Sequence, residues 1–227
     1  MVVMEATKQS NEKVYSNEGN PDVVGLLPAE ARYILDIGCG DGSNARLLCA
    51  RNCVVDGITI SEAEKKEAGK IMRQVWVHNL ENGLPIEGDK LYDAVICSHV
   101  LEHICYPEQL MNDIHRVLKD GGCLIVALPN LMHYTSRWQL IKGNFNYTPS
   151  GIWDYTHFRW YTFTTAKQLF TTHGFAIATA TVTGELPLNS LFKKILPSGF
   201  RKFLYTRLIS ISKGFFGYQL LYRVIKK

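Results

Sequence analysis

The run Tyr33–Leu48, YILDIGCGDGSNARLL, constrains the fold of this chain more than any other stretch. Ile34, Leu35 and Ile37 read as a buried strand, Gly38, Gly40 and Gly42 as a turn, and Ala45, Leu47 and Leu48 as the apolar face of a starting helix. A strand passing through closely spaced glycines into a helix brings bare backbone and a helix N-terminus against a nucleotide-like ligand in an open α/β sheet. Asp36, ending the strand, and Asp41, inside the turn, put carboxylates where a pyrophosphate would be repelled. They suit a ligand that is cationic and carries no phosphate. The plainer alternative is a glycine turn that only joins strand to helix. The order of the elements downstream favours the ligand site.

Cys53–Ile60 reads as a second strand, apolar enough to be covered on both faces. Ser61, with Glu64 three residues on, makes a capping-box pattern for a charged helix lying outside the sheet. Gln74–His78 is a short third strand, residues 79–88 a loop, and Tyr92–Cys97 a fourth strand. Pro107 opens a helix reaching Leu118, with Leu110, Met111, Ile114 and Val117 at helical spacing. Asp120-Gly121-Gly122 then turns the chain into a fifth strand, Cys123–Leu128. Such β-α-β alternation argues for a doubly wound parallel sheet. Residues 130–163 break the alternation with a polar insertion carrying Phe145, Tyr147, Trp153, Tyr155, Phe158, Trp160, Tyr161 and Phe163. A helix over Thr164–His173, a sixth strand over Phe175–Val182, a basic insertion over 186–213 and a last strand over 217–226 complete the reading. We expect one domain over residues 1–227, with a polar lead-in over 1–30.

Composition narrows the partners. Hydrophobic residues at 46% and charged residues at 20% are ordinary for a globular chain of 227 residues. The first twenty residues hold no apolar signal core and no run reaches the length of a membrane span, so the expectation is a soluble, cytoplasmic protein. None of the six cysteines forms a CxxC pair, which points to reduced core residues rather than a zinc site or a disulfide framework. After Glu185 there is no Asp or Glu, yet nine Lys or Arg follow, against 16 basic and 21 acidic residues in 1–185. That asymmetry points to anionic lipid or a lipid-linked glycan near the C-terminal segment, or more plainly to a solvated cover over the sheet edge.

With these landmarks in order, the chain resembles the class I S-adenosylmethionine (SAM)-dependent methyltransferases. The glycine turn is similar to their first motif, acidic-x-Gly-x-Gly-x-Gly, and Gly57-Ile58-Thr59-Ile60-Ser61 to the segment that clasps the cofactor ribose. Leu91–Ile96 resembles their fourth strand, and Leu118-Lys119-Asp120-Gly121-Gly122 the turn before their fifth. Leu101-Glu102-His103, Leu128-Pro129-Asn130 and Gly151–Arg159 resemble the subgroup associated with bacterial O-antigen and surface-polysaccharide biosynthesis. The resemblance implies an α/β, Rossmann-like doubly wound sheet, mostly parallel with an antiparallel last strand. It also implies SAM as cofactor, S-adenosylhomocysteine as product and a small-molecule or glycan hydroxyl as acceptor.

Carried over residue by residue, it assigns Asp36, Gly38, Cys39, Gly40 and Asp41 to the amino-acid end of the cofactor. Thr59 and Ile60 would border the ribose, Asn79 and Leu80 the adenine, and Ser98 the reactive methyl. Thr59 stands where relatives carry an acid, and Asn79 where many carry Asp, so Glu62 or Glu81 is a candidate substitute. For acceptor chemistry the candidates are His103, His157 and Asp154, with His99, Glu102 and Arg159 beside them. The plainer readings are a helix-end pair for Glu102 and His103, and a core histidine for His157.

The leading reading carries no metal. His99-x-x-Glu102-His103 with His157 nevertheless resembles the Glu-x-x-Glu-His plus His set of small-RNA 2′-O-methyltransferases, shared in part by ubiquinone-pathway O-methyltransferases. A protein that keeps the fold without turnover, binding or regulating instead, is the alternative of another class. Nucleic-acid methylation is disfavoured, because the chain has no focused basic stripe outside its tail and no Asn-Pro-Pro-Tyr-type motif.

Overall fold

The computed structural model describes residues 18–187 and 192–227. Seven strands form one sheet: β1 (Tyr33–Ile37), β2 (Val54–Thr59), β3 (Gln74–Val77), β4 (Tyr92–Ser98), β5 (Leu118–Pro129), β6 (Phe175–Thr183) and β7 (Gln219–Lys226). Their spatial order is β3-β2-β1-β4-β5-β7-β6, and only β7 runs against its neighbours. The chain therefore builds outward from β1 to β3, then crosses back to begin the other half at β4. Loops at the carboxyl ends of β1 and β4 part at that switch and leave a crevice where ligands bind in open α/β sheets.

Period-two alternation sends side chains to both faces. Leu35, Ile37, Val95, Leu124, Val126 and Tyr222 face one core, closed by α4 (Pro107–Val117) and α6 (Phe163–Thr172). Ile34, Ile96, Ile125 and Leu221 face the other, closed by α1 (Pro21–Gly25), α2 (Ser43–Leu48) and α3 (Glu62–Ala68). Pro107 sits at the first turn of α4, whose Leu110, Met111, Ile114 and Val117 are fully buried. Thr162 and Thr165 cap the start of α6 reciprocally.

Three features depart from the sequence reading. The β5 ladder begins at Leu118, with a register shift against β4 between Tyr92 and Ala94, so the Asp120–Gly122 turn is a bulge within the strand. Within the aromatic insertion, α5 (Tyr134–Ile141) forms where no helix was expected, and α7 (Ser198–Ile211) and α8 (Lys213–Phe216) occupy the basic segment. Of the polar lead-in, residues 1–17 lie outside the described residues, and 18–27 hold α1 with Asn20 as its cap. All six cysteines are free. Among the described residues no helix is long and apolar enough to cross a membrane.

Two acidic residues tie the strands at the edge away from the crevice. Asp56 is buried in β2 and meets the Arg73 guanidinium and the Tyr92 hydroxyl. Asp93 accepts from the Arg32 and Tyr33 amides at 2.9 and 2.8 Å and from Lys119 Nζ at 2.6 Å, joining the starts of β1, β4 and β5. Burial alone would raise the Asp93 carboxyl, but Lys119 and the two amides outweigh it and hold it below the usual carboxylate range. Its stabilisation is complete above the unfolded pKa of about 4 and is lost as pH falls through the lower folded value. Asp93→Ala is expected to cost about 2 kcal/mol at neutral pH, with the two stability curves converging in acid, read by urea unfolding across pH.

Candidate active site

The crevice begins with backbone. Gly38, Gly40 and Gly42 have φ of +73°, +53° and +85°, which side-chain-bearing residues adopt with difficulty. The Gly38 and Cys39 amides both donate to the Ile58 carbonyl, at 2.8 and 2.9 Å, pinning the turn to β2. A methyl group on Gly38 would collide with the Val100 side chain, so glycine is needed for fit as well as for conformation. The Cys39 side chain is buried beneath the turn, where a Cβ on Gly57 would come within 2.7 Å of its sulfur. Burial pushes the Cys39 thiol up, and Asp36, Glu64 and Asp41 push it further. Three carboxylates thus lie around one turn.

The carboxylates differ in what they meet. Asp36 is 1% exposed, and both its oxygens accept from the Asn44 amide of α2 at 3.3–3.4 Å. Burial raises its pKa to about 7, against the smaller opposing effect of Asn44. Asp41, the second carboxylate of the turn, meets Arg46 at 2.7 Å and the Ser43 hydroxyl, so its charge is balanced within the turn and α2. Cys39 offers the crevice backbone only.

On the second strand, the buried Thr59 hydroxyl donates to the Glu64 carboxylate and accepts from the Ser61 amide at 3.3 Å. Glu62 is exposed beside Lys65, and Glu81 is turned to accept from the Cys105 amide at 2.7 Å. The carboxylate behind Thr59 is Glu64, 3% exposed although it lies on the charged helix α3. Ile60 is half exposed, Asn79 accepts from the Glu81 amide through its side chain at 3.0 Å, and Leu80 packs against the core. At the tip of β4, the Ser98 hydroxyl lies 3.4 Å from the Asn20 amide nitrogen.

Across the crevice stand the acceptor-side candidates. His99 has a φ of +56°, and both its nitrogens face oxygens: Nδ1 meets Glu102 at 3.2 Å and Nε2 meets Gln219 at 2.6 Å. Burial alone would lower this imidazole, but Glu102 and Gln219 together raise it. Glu102 is fully buried; one carboxylate oxygen serves His99, and the other has no hydrogen-bond partner among the described residues. Its backbone carbonyl accepts from the Phe158 and Arg159 amides at 2.9 and 3.1 Å, which docks the aromatic insertion onto the loop after β4.

Docking brings two imidazoles together. His103 Nδ1 faces the Thr156 carbonyl at 3.2 Å, and His157 Nδ1 faces the Ile152 carbonyl at 3.2 Å. Carbonyls only accept, so Nδ1 carries the proton in each neutral ring and Nε2 keeps its lone pair. The two rings meet edge to face at 4.7 Å, and ligand atoms of Glu102, His103 and His157 lie within 4.8 Å of one another. Burial lowers the His157 pKa, keeping that ring neutral. Asp154 is outside this cluster: it accepts from the Thr156 hydroxyl at 2.7 Å, and that hydroxyl lies 3.1 Å from His103 Nδ1. Arg159 is also directed elsewhere, to the Cys105 carbonyl at 2.7 Å. Phe145, Tyr147, Trp153 and Trp160 pack on one another, and Trp160 shares the Ile152 carbonyl with His157.

Sequence reading missed Asn20, Asn44, Glu64 and Gln219. Asn44 and Glu64 carried a local signal, since each lies in the first turn of a helix that leaves the crevice. Asn20 and Gln219 carried none: the Asn20 amide joins Ser98 and Gln219 across 78 and 199 residues of chain.

Comparison with known proteins bears on the family and the fold. A methyltransferase domain family profile matches residues 16–180. The ubiquinone biosynthesis O-methyltransferase of Rickettsia akari is 29% identical over 130 residues, covering 55% of this chain and 52% of the relative. That of Chromobacterium violaceum is 27% identical over 141 residues, covering 56% and 58%. The chain thus spans little more than half the length of these relatives. A SAM-dependent methyltransferase from Archaeoglobus fulgidus superposes with a TM-score of 0.62 at 21% identity, covering 88% of this chain and 87% of that one, which bears on the fold alone. By its profile match, supported by its strand order and glycine turn, the chain belongs to the methyltransferase domain family, with the class I architecture of SAM-dependent enzymes.

Proposed function

We propose that this chain transfers a methyl group from SAM to a hydroxyl oxygen of a small acceptor, with Glu102, His103 and His157 handling the acceptor proton. One observation carries the reading. The His103 and His157 rings, the second brought in by the aromatic insertion, meet edge to face beside the buried Glu102 carboxylate on the loop after β4, with one ligand atom of each residue within 4.8 Å of the others. When bound, SAM supplies an activated methyl on a sulfonium, and the protein's task is alignment and proton removal.

Asp36 and Asn44, with the backbone of Gly38 and Gly40, hold the cationic amino-acid end. Thr59, backed by Glu64, and Ile60 border the ribose, while Asn79 and Leu80 flank the adenine. Ser98 lies under the transferring methyl. On the acceptor side an imidazole Nε2 takes the hydroxyl proton as oxygen attacks in line, and the Glu102 carboxylate balances the imidazolium that forms. Asp154 contributes indirectly, by fixing the Thr156 hydroxyl against His103. The O-methyltransferase names of the relatives support oxygen as the atom methylated. None of these relatives is named as a polysaccharide enzyme, so the acceptor is taken as a hydroxyl-bearing small molecule, glycan or otherwise, set against the aromatic insertion.

Two measurements test this. SAM affinity, read by calorimetry, is expected to rise from about pH 5.5 to about pH 7.5 as Asp36 ionises toward the ligand's ammonium, and to stay flat and weaker in Asp36→Asn. No SAM binding at high concentration would instead favour a protein without turnover. Against a panel of phenols and sugars, His103→Ala and His157→Ala are expected to slow kcat about a hundredfold with the KM for SAM unchanged.

A second reading is favoured by the unpartnered oxygen of buried Glu102 and by the carbonyl contacts of both Nδ1 atoms. Ligating histidines characteristically donate their other N–H to such a carbonyl. Two imidazoles and a carboxylate suit a divalent transition metal, which would supply Lewis acidity toward the acceptor hydroxyl. His99, committed to Glu102 and Gln219, stands outside the set. Elemental analysis of dialysed protein is expected to find about one metal per chain, lost in Glu102→Gln. Metal-free protein with chelator-resistant turnover would leave the imidazole as base.

A further inference from the structure

Helices α5, α8 and α7 form one continuous layer beside the crevice. Tyr134 of α5 meets the Phe215 and Phe216 rings of α8 at 6.0 and 6.5 Å, and the Tyr205 hydroxyl of α7 donates to the Phe216 carbonyl at 3.4 Å. At the carboxyl end of β5, the Asn130 amide donates to the Gly214 and Gly217 carbonyls at 2.9 and 2.6 Å, fastening the layer to the sheet. Gln219, two residues past Gly217, is the residue that meets His99. The layer and the acceptor cluster therefore share one edge of the molecule.

The outer side of this layer is apolar and basic. Trp138 and Ile141 of α5 are 59% and 76% exposed, and Phe200, Phe203 and Ile211 of α7 are 48%, 50% and 78% exposed. Spacings of three, three and eight residues align each set along one helical stripe. Among them stand exposed Lys142, Lys202 and Arg207. Lys142 lies 5.0 Å over the Trp138 ring and Arg207 5.1 Å over the Phe203 ring. From Gly121 to Lys227 the chain has thirteen Lys or Arg but only Asp154 and Glu185 as acids.

We propose that this layer seats the protein on a bilayer containing anionic lipid, with the acceptor cluster beside the lipid surface. Exposed aromatic and branched side chains rimmed by cations mark a surface built to be covered. Lysine and arginine stems run along apolar surface while their charged heads reach outward to lipid phosphates. The exposed apolar side chains of α5 and α7 would enter a headgroup layer, while the cations beside them would meet its phosphates. The charge complements anionic lipid directly. Seating does not depend on which hydroxyl is methylated.

Vesicle sedimentation of the full chain tests it, with phosphatidylcholine alone and with about 30% phosphatidylglycerol added. The protein is expected to pellet with the anionic vesicles, less so as salt is raised, and to stay in solution with phosphatidylcholine alone. Trp138→Ser with Phe203→Ser, and separately Lys202→Glu with Arg207→Glu, are each expected to weaken partitioning at least tenfold, with SAM binding and helix content unchanged. Failure to pellet with anionic vesicles would overturn the proposal, as would undiminished binding by both double variants. So would a wild-type dimer, seen by light scattering, that the Trp138/Phe203 variant splits while neither form binds vesicles; the face would then join two copies of the chain.

Discussion

At the end of β1 the backbone must enter the left-handed region three times within five residues, while two of its amides reach a single carbonyl on β2. Only glycine meets that demand cheaply. From it follow the closeness of the turn to β2, the burial of Cys39 over Gly57, and the direction in which α2 leaves the sheet. Where it leaves determines where Asn44 meets Asp36, and so how a buried carboxylate is held at the switch between β1 and β4. The charge of this half of the site is thus a consequence of backbone sterics.

A line of polar groups joins that half to the acceptor side. Asp36 meets Asn44, whose side-chain oxygen receives the Asn20 amide; the Asn20 side chain reaches Gln219, Gln219 meets His99, and His99 meets Glu102. Each link is a buried or half-buried polar group with a partner, as the cost of leaving such groups unpaired demands. The exception is the second oxygen of Glu102, and it lies where the two imidazoles converge. An uncompensated lone pair at full burial is costly, and sites that carry one tend to be sites of chemistry.

Much of the fold was readable in advance because its signals are local. β1 falls on the expected residues, and the other strands within a residue or two except β5, which starts five residues early at Leu118, because alternation and glycine punctuation act over a few positions. α5 escaped because its apolar residues show little helical periodicity, Trp138, Leu140 and Ile141 all facing solvent. At the candidate site, residue types did not reveal the hydrogen-bond partners. Sequence offered Glu62 or Glu81 to support Thr59, and only the path of α3 puts Glu64 behind it.

The chain's own order of residues determined its strands, its glycine turn, the acidic residues at that turn and the basic character of its C-terminal half. Those depend on steric freedom, alternation and net charge, all of which act along the chain or do not depend on its path. Tertiary structure alone decided that Asp41 is neutralised by Arg46, that His157 comes to His103 across 53 intervening residues, and that α5 and α7 expose their apolar stripes on one layer. The reason is distance: a hydrogen bond such as that from the Phe158 amide to the Glu102 carbonyl has no counterpart in local propensity, and exists only once packing has closed the loop between them.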